Sequence, residues 1–561
     1  MKHYLTGKAV ALEEALERME AILDRLGFHL EECGWLNPAP HIWSVHVRAC
    51  ECPLLFSNGK GISREAALAS AFGEFLERLL TGYFYGDWAL PCDRLRYAFV
   101  PDEKTVSSSE AVAALPALLR AQWGLDEVAE AQLLPSLACC GEQVRVLPLQ
   151  PLVGADEPIE VPWNVLMNFY GSNGLCAGST HLEARIQGAS EIFERWARRR
   201  ILEENLCLPE VPEAVIAASE RVLAAREALE REGVVLSIRD ASLGLGVPVV
   251  AIILYQQGSG RAFVSFGAHP IFEVALERTL TEAFQGRRLG ELDGYQPPSD
   301  DADWTASWEN QEAHFIDASG QFHWHFFSDR PDFDFTPWGV PADADFARQW
   351  DYLADCFERL EQPVWEAVYE RDGFYACRLI APGMSEVFPP DELLENNQNG
   401  GCVLRRHLQA FRTEADWNET LLELLDAYGW ADHLSVGSVI GVAFEADSPW
   451  LGLKMLDLRL RALMALEAWD EVMPLLEEAR YLAADRPEQA GAWTLLAQAL
   501  ETGDLAPLSQ AATALYGRET VVQVERWLAG EAWADLPMGE ALIGPLHRSL
   551  WATHPGRCQN A

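Results

Sequence analysis

Apolar positions along the first 400 residues recur with two different periods, one typical of helices and the other of strands. Residues 9–27 place leucine, isoleucine and methionine at helical spacing, which predicts an amphipathic helix. Residues 41–48 alternate between apolar and polar side chains, as in a half-buried strand. The unbroken apolar run at 247–255 predicts a strand buried on both faces. Helices and strands that alternate in this way predict an α/β domain.

The pattern changes near residue 415, beyond which almost every apolar spacing is helical. The motif ALE-x-x-D begins at Ala465 and again at Ala499, a period of 34 residues. This is the period of tetratricopeptide repeats, in which pairs of helices stack on one another. The predicted units are an α/β domain at 1–405, a linker helix within 391–412 and an all-α, tetratricopeptide-like domain at 406–561.

The most informative stretch is 172–200, where a glycine-rich turn leads into a helix with one polar stripe. Ser179 or Thr180 is suited to cap this helix, because a hydroxyl accepts from the free N–H groups of the first turn. Spacings of four, four and three bring four polar side chains onto one face, namely Glu183, Gln187, Glu191 and Glu194. The opposite face is apolar, so we expect it to pack in a core.

A second copy of this unit lies upstream, at 57–78. The triplet Ser-Asn-Gly recurs after 115 residues and the motif Glu-x-x-Glu-Arg after 117. In the upstream copy Ser63 is the expected N-cap, and Ser70, Glu74 and Glu77 share one helix face. Placed face to face, the two helices would form a carboxylate cage, whose members repel one another unless a cation such as Mg²⁺ lies between them. The alternative is that both stripes are solvated helix faces.

Basic side chains accompany the acidic stripes. The predicted helix at 270–288 places Arg278, Glu282 and Gln285 on one face. Arg278 could bind a phosphate through two hydrogen bonds, or it could pair with Glu282 one turn later on a solvated face. Lys60, in the first glycine-rich turn, could contact phosphate or face water.

Composition narrows the classes of partner. The formal net charge of −42 and the pI of about 4.6 argue against a nucleic-acid-binding surface. Twelve cysteines show no disulfide-like spacing, which is typical of reduced thiols in the cytoplasm. Because no stretch of 18 apolar residues occurs, we expect a soluble, cytoplasmic protein that does not bind membranes.

Four stretches together resemble the YcaO family: SNGKGISREAALASAFGEFLER at 57–78, GSNGLCAGSTHLEARIQGASEIFER at 171–195, AHPIFEVALERTLTEAFQGR at 268–287 and CRLIAPGMSEVFPP at 377–390. The resemblance covers roughly residues 1–405, and the remainder resembles the helical extension of stand-alone bacterial members. Members of this family use ATP to phosphorylate a peptide-backbone amide oxygen, and they make azolines, thioamides or amidines. The resemblance therefore implies an ATP- and Mg²⁺-dependent, amide-activating enzyme.

The resemblance also implies roles for individual residues. Lys8 matches a lysine that contacts the nucleotide in YcaO proteins, and Arg278 matches a phosphate-contacting residue. The nucleotide-binding residues we expect are Lys8, Ser70, Glu74, Glu183, Arg195 and Arg278. The expected Mg²⁺ ligands are Glu74, Glu77, Glu191 and Glu194.

Two features separate this chain from the family members that make azoles in peptides. It ends in HPGRCQNA where such members carry a proline-rich tail, and no peptide-clamp domain is visible. The stand-alone members are described as accessory factors for methylthiolation of a small-subunit ribosomal protein. We therefore expect a peptide or protein substrate such as a ribosomal protein, a methylthiotransferase partner and a homodimer. The alternative is a non-catalytic, ATP-binding accessory factor that recruits its partner through the helical domain.

Overall fold

The structure, a computed structural model, describes residues 3–90, 100–123, 143–217, 219–289, 294–316, 318–389 and 400–554. The strands are β1 (Leu30–Ala39), β2 (Ile42–Ala49), β3 (Phe56–Gly61), β4 (Lys104–Ser107), β5 (Gln143–Val153), β6 (Ile159–Pro162), β7 (Leu175–Gly178), β8 (Val234–Asp240), β9 (Val249–Gln256), β10 (Arg261–Ala268), β11 (Val364–Arg371) and β12 (Phe374–Ile380). The helices among them are α1 (Leu12–Leu26), α2 (Arg64–Leu80), α3 (Ser108–Ala114), α4 (Ala117–Gln122), α5 (Trp163–Val165), α6 (His181–Glu204), α7 (Glu213–Ile216), α8 (Glu220–Arg231), α9 (Phe272–Ala283), α10 (Ala302–Ala306), α11 (Trp308–Ile316) and α12 (Phe346–Arg359).

These strands form three antiparallel sheets in the described part of the chain. One contains β1, β2 and β3, a second contains β8, β9 and β10, and the third has the order β4-β5-β11-β12-β7 with β6 paired to β5. The predicted mixture of helices and strands is confirmed, and β9 lies at the centre of its sheet with residues 249–254 buried. Strand β1 was not expected, because its mostly exposed side chains carry no apolar period.

Two strand–helix units, β3–α2 and β7–α6, position the predicted site. The Ser63 hydroxyl caps α2 by accepting from the N–H of Ala66 at 3.1 Å. The Thr180 hydroxyl caps α6 by accepting from the N–H of Glu183 at 3.2 Å, which settles the choice left open with Ser179. The two caps are 117 residues apart, the same offset as the Glu-x-x-Glu-Arg motifs.

The glycines of these units have a different role from the one their spacing indicated. The triplet at 57–59 lies inside β3, whereas the triplet at 172–174 forms a turn before β7. A Cβ on Gly59 would lie 1.9 Å from the carbonyl oxygen of Ala67, and one on Gly178 would lie 2.8 Å from the nitrogen of Ala184. The glycine-rich turn predicted for the first unit is therefore wrong. Its glycines are needed because the strand passes directly against the following helix.

The C-terminal part is helical, as expected. Its helices are α13 (Gly401–Gln409), α14 (Ala415–Tyr428), α15 (Val436–Ile440), α16 (Met455–Ala465), α17 (Trp469–Leu482), α18 (Pro487–Thr502), α19 (Ser509–Tyr516), α20 (Arg518–Leu528) and α21 (Pro545–Thr553). The tetratricopeptide repeat and the boundary at 405 stay predictions, and α13, with Leu404 and Leu408 in the helical core, spans that boundary. Residues 391–399 of the predicted linker helix and the residues after His554 lie outside the described residues, whereas the described part of the linker contains α13.

The helical domain is joined to the segment that follows α2. The carbonyl oxygen of Ala89 accepts from His547 Nε2 at 2.9 Å and from Trp551 Nε1 at 2.6 Å. The Tyr85 hydroxyl donates to the carbonyl oxygen of Thr553 at 3.1 Å. Helix α21 thus packs beside the end of the first site helix. In the part of the chain that is described, no helix is long and apolar enough to cross a bilayer.

Candidate functional site

All nine residues predicted to bind nucleotide or Mg²⁺ line one cavity of about 720 Å³ between α2, α6 and α9. Helix α2 contributes Ser70, Glu74 and Glu77 to its wall, and α6 contributes Glu183, Glu191, Glu194 and Arg195. Helix α9 contributes Arg278, and the segment before α1 contributes Lys8. The two polar stripes therefore face a common space and are not separate solvated surfaces.

The carboxylates are close enough to influence one another. Burial raises the pKa of Glu77 well above its usual value, and the charges of Glu191 and Glu74 raise it further. Burial also raises the pKa of Glu74 and that of Glu194, and Glu191 adds repulsion at both. A cluster of acids with raised pKa values favours a compensating cation.

Five of the seven acids that line the cavity are paired with a basic side chain. Within α2, Arg78 Nη2 lies 2.5 Å from Glu74 Oε1, and within α6 Arg195 Nη2 lies 2.8 Å from Glu191 Oε1. The other three pairs link different elements: Lys8 Nζ lies 3.1 Å from Glu183 Oε1, Arg221 Nη1 lies 2.9 Å from Glu277 Oε1, and Lys60 contacts Glu282. The two arginine pairs are equivalent, since both follow the repeated Glu-x-x-Glu-Arg motif.

Two acids and two arginines of the cavity lack such pairing among the described residues. Glu77 and Glu194 make no ion pair with any described basic side chain. Arg278 Nη1 donates to the Gln187 side-chain oxygen at 2.7 Å, and Arg198 Nη1 donates to the carbonyl oxygen of His314 at 3.2 Å. These guanidinium groups have only neutral partners, so each keeps donors free for an anion.

Glu183 is committed to the backbone around it. Its Oε2 accepts from the N–H of Ser179 at 3.2 Å and from the N–H of Ala9 at 3.3 Å, and its side chain is buried. The structure therefore gives Glu183 contacts to the protein chain and to Lys8, and its predicted contact with a nucleotide stays a prediction.

Helix α9 and the turn that follows it contact both strand–helix units. Arg278 reaches α6 through Gln187, and Gln285 Nε2 donates to the carbonyl oxygen of Asn58 in β3 at 2.9 Å. Arg278 does not pair with Glu282, which instead contacts Lys60. The question left open for Lys60 is answered in part, because this side chain lines the cavity and its burial lowers its pKa to about 8.

Sequence reasoning missed three basic or polar residues in this wall. Arg78 is the counterpart of Arg195 in the repeat, and its buried Nε has no hydrogen-bond partner among the residues that the structure describes. Arg198 continues the α6 stripe four residues after Glu194, a spacing that could have identified it. His269 also lines the cavity, but no pattern in the sequence links it to the two repeats.

The cavity fits a magnesium-bound polyphosphate in its chemistry. Carboxylate oxygens are the ligands that Mg²⁺ prefers, and guanidinium groups with free donors are suited to phosphate. Among the described residues, however, no three acidic, cysteine or histidine side chains stand as a ready-made metal cluster. The reason is visible in the ion pairs, since Glu74 and Glu191 are turned toward Arg78 and Arg195.

The chain is similar to proteins of one family over almost its full length. The family model described as YcaO cyclodehydratase, ATP- and Mg²⁺-binding, matches residues 58–385, and the model for the YcaO cyclodehydratase C-terminal domain matches 401–546. The ribosomal protein S12 methylthiotransferase accessory factor YcaO of Escherichia coli is 37% identical over 94% of this chain and 93% of its own. An uncharacterized protein of Haemophilus influenzae is 38% identical over 84% of this chain and 81% of its own.

The solved structures that match this chain are more distant in sequence. A heterocyclase in complex with substrate and cofactor shares 17% identity at a TM-score of 0.45, over 69% of this chain and 55% of that one, so this chain spans about half its length. YcaO from Methanopyrus kandleri, bound with AMPPCP and Mg²⁺, shares 19% identity at a TM-score of 0.42, over 68% and 93%.

The family assignment rests on the two family models and on the two bacterial relatives. The family's description as ATP- and Mg²⁺-binding confirms the expected cofactors, and the mixed α/β domain followed by a helical domain agrees with the expected fold. Both copies of the Glu-x-x-Glu-Arg motif, one in each strand–helix unit, lie within the region that the first family model matches. We conclude that this chain belongs to the YcaO family.

Proposed function

We propose that the protein binds ATP with Mg²⁺ in this cavity and activates a backbone amide of a peptide or protein by phosphorylation. The observation that carries the proposal is the placement of four side chains on one cavity wall. Glu77 and Glu194 form no ion pair with a described basic side chain, and the guanidinium groups of Arg198 and Arg278 donate to neutral oxygens. A metal ion suits the first pair and phosphate oxygens suit the second.

The charge around the cavity supports an anionic ligand despite the acidity of the whole protein. Eight basic and seven acidic side chains line it, whereas the chain carries a net charge of −42. The lining is therefore close to neutral before any metal binds. Mg²⁺ would add positive charge there, so that a triphosphate would meet an attractive local field.

In this proposal Glu74, Glu77, Glu191 and Glu194 would hold Mg²⁺, and the bound ion would supply charge neutralisation for the phosphates. With these carboxylates engaged by the metal, the Arg78 and Arg195 guanidinium groups now paired with Glu74 and Glu191 would be available to phosphate oxygens. Arg278 and Lys60 approach from α9 and β3 and offset the remaining charge. The role of these side chains is to position the γ-phosphoryl group and to stabilise its charge.

We further propose that the polypeptide partner is connected with methylthiolation. The relative from Escherichia coli is named as an accessory factor of the ribosomal protein S12 methylthiotransferase, and it aligns with this chain along 94% of the sequence. An accessory role and an amide-activating role are compatible, because the first names a partner and the second a reaction.

Calorimetry tests the binding step directly. AMPPCP and MgCl₂ are titrated into the wild type, Glu77→Gln, Glu194→Gln and the control Glu204→Gln, which alters an acid of α6 that pairs with Arg200 and does not line the cavity. We expect Mg²⁺-dependent binding to weaken at least about tenfold in the first two variants, because each loses a charged contact, and to persist in the control. Equal affinity in all four proteins would refute this site.

Turnover separates the enzyme from the accessory module. ADP formation is measured with the wild type alone and with candidate peptides or the partner proteins. ADP that appears only with a polypeptide supports amide activation. Tight Mg²⁺-dependent AMPPCP binding without ADP formation under every condition supports an accessory factor that binds ATP as a ligand.

A further inference from the structure

The segment Leu5, Thr6, Gly7, Lys8, Ala9 and Val10, here called the N-terminal strap, runs along one wall of the cavity ahead of α1. Leu5, Thr6, Gly7, Lys8 and Val10 all line this wall. The first attachment of the strap is to α6, where the Glu183 carboxylate accepts from the Ala9 N–H and pairs with Lys8. The strap is therefore the element that presents Lys8 to the cavity.

A second attachment lies one residue earlier, between Gly7 and His269. Gly7 has a φ of +75°, a conformation that favours glycine. A Cβ placed on Gly7 would lie 3.1 Å from His269 Nε2 and 3.2 Å from His269 Cε1. These distances are shorter than ordinary carbon contacts, so a side chain at position 7 would have to displace the imidazole by a few tenths of an ångström.

The orientation of the His269 ring is determined by its neighbours. The side chain is 4% exposed and follows β10, and its Nδ1 accepts from the N–H of Ile271 at 3.0 Å. Nδ1 as acceptor places the proton of the neutral ring on Nε2, the nitrogen that faces Gly7. Burial lowers the pKa of His269 well below its usual value, and the positive charges of Arg278 and Lys8 lower it further. The ring is thus a fixed, uncharged surface beside two cations.

We propose that His269 is a positioning residue, which seats Gly7 and thereby fixes where Lys8 enters the cavity. Glu183 holds the strap from one side through charge and hydrogen bonds, and His269 holds it from the other side through shape. Lys8 is the residue between these two attachments that can reach a ligand. This inference rests on the proposed nucleotide function for its effect on affinity, but the seat itself can be tested without nucleotide.

The test uses Gly7→Ala with a matched glycine as control. Gly27, the C-cap of α1, has a φ of +82°, and a Cβ placed on it would have no atom within 4 Å, so Gly27→Ala introduces similar backbone strain without a contact. Two quantities are measured: the Kd for AMPPCP with Mg²⁺, and the rate of tryptic cleavage after Lys8, followed by mass spectrometry without nucleotide. A third variant, His269→Asn, retains an acceptor for the Ile271 N–H and removes the ring atoms that face Gly7.

We expect Gly7→Ala to raise the Kd by about tenfold and to speed cleavage after Lys8, because a displaced lysine loses a charged contact and becomes accessible. Gly27→Ala should change both quantities less than twofold. His269→Asn should loosen the strap by itself, and adding it to Gly7→Ala should restore part of the lost affinity, since the added methyl group then has space. The effects of the two substitutions would be non-additive.

Three results would each be decisive. Equal behaviour of Gly7→Ala and Gly27→Ala in both measurements would overturn the role of His269. Additive effects of Gly7→Ala and His269→Asn would do the same, because they would show that the two residues do not act through their contact. Absence of AMPPCP binding to the wild type would refute the proposed nucleotide function. The tryptic cleavage rates alone would then test whether His269 positions Gly7. Should Gly7→Ala fail to fold, the cleavage rate of His269→Asn relative to the wild type takes its place.

Discussion

The two strand–helix units of the site share a common centre but differ at both ends. Their centres are matched, with a hydroxyl cap, the motif Glu-x-x-Glu-Arg, and an arginine paired with the first glutamate in each unit. At the start of the helix, Glu183 of α6 corresponds to Ala66 of α2, and one turn past the motif Arg198 corresponds to Thr81. At these two positions only the second unit carries a charged side chain.

The difference separates two kinds of role. The matched centres face each other across the cavity, so they suit a ligand that both units hold, such as a metal ion. The unmatched ends contact parts of the chain that have no repeat, since Glu183 holds the N-terminal strap and Arg198 reaches the carbonyl oxygen of His314 in α11. Thr81 is buried and donates to the Glu77 carbonyl oxygen, which simply ends its helix. The repeated motif thus provides the paired carboxylates at the middle of the cavity. Charged residues present in only one copy make the two ends of the cavity different, as an asymmetric ligand such as a nucleotide requires.

The largest effect should come from the glycines that allow each strand to cross its helix. A methyl group on Gly59 would lie 1.9 Å from a backbone oxygen, and one on Gly178 would lie 2.8 Å from a backbone nitrogen and 3.0 Å from Glu183 Cβ. We expect Gly59→Ala to lower the free energy of unfolding by about 4 kcal/mol or more, and Gly178→Ala by less. Urea denaturation measures both.

The control is Gly73→Ala in the middle of α2, where the nearest atom is Met19 Sδ at 3.9 Å. This change should raise the free energy of unfolding by about 0.5–1 kcal/mol, because alanine favours the helix. If Gly59→Ala and Gly73→Ala had the same urea midpoint, close strand–helix contact could not be the reason for the glycine at 59.

A smaller effect is expected at the unmatched end of α6. Burial and the nearby charge of Arg195 lower the pKa of Arg198 to about 10, so an anion that contacts this guanidinium relieves an unfavourable environment. We expect Arg198→Met to weaken Mg²⁺–AMPPCP binding about tenfold in calorimetry. Arg200→Met, which removes an exposed partner of Glu204 on the same helix, should leave the affinity unchanged. Equal losses in both variants would assign the effect to the net charge of α6.

The pH dependence of nucleotide binding should show two limbs. Glu74, Glu77 and Glu194 have raised pKa values and must lose their protons to hold Mg²⁺, so affinity should rise with pH from the ordinary value near 4.5 up to those raised values. Lys60, with its pKa lowered to about 8, loses its charge above that pH, and affinity should then fall. Calorimetry in buffers of different ionisation enthalpy measures the affinity and the protons released.

Lys60→Arg provides the control for the upper limb. Arginine stays protonated over the whole range, so the decline above pH 8 should disappear while the lower limb stays in place. An upper limb that Lys60→Arg leaves at the same pH would exclude Lys60 as the titrating group.

The smallest expected effect is on the melting temperature of the protein without ligand. It distinguishes Glu77 of the first unit from Glu194, its counterpart in the second. An acid whose pKa is raised in the folded protein stabilises the fold less as pH rises, because its charged form is disfavoured there. Both Glu77→Gln and Glu194→Gln should therefore raise the melting temperature at neutral pH. Repulsion from Glu191 and Glu74 adds to burial at Glu77, whereas Arg195 offsets part of the burial at Glu194, so the larger rise belongs to Glu77→Gln. Differential scanning calorimetry would contradict this ranking if Glu194→Gln gave the larger shift.

The local parts of this site could be predicted from the amino-acid sequence. Periodicity identified α1, the α2 and α6 stripes and the buried strand β9, and hydroxyl residues identified both helix starts, because these features depend on neighbours within about one helical turn. The repeated motifs also pointed to the family, which both family models confirm.

The partners of these residues, in contrast, are known only from the folded chain. Lys60 contacts Glu282, Arg278 contacts Gln187, and Gly7 rests on His269, each across more than 90 residues of sequence. The same is true of the glycines, whose composition resembled a turn although Gly59 and Gly61 lie in a strand against a helix. The spacing of residues along the chain determines which face of a helix or strand each side chain occupies. The packing of elements that are distant in sequence determines what that face contacts. This packing brings the two acidic helices to one cavity.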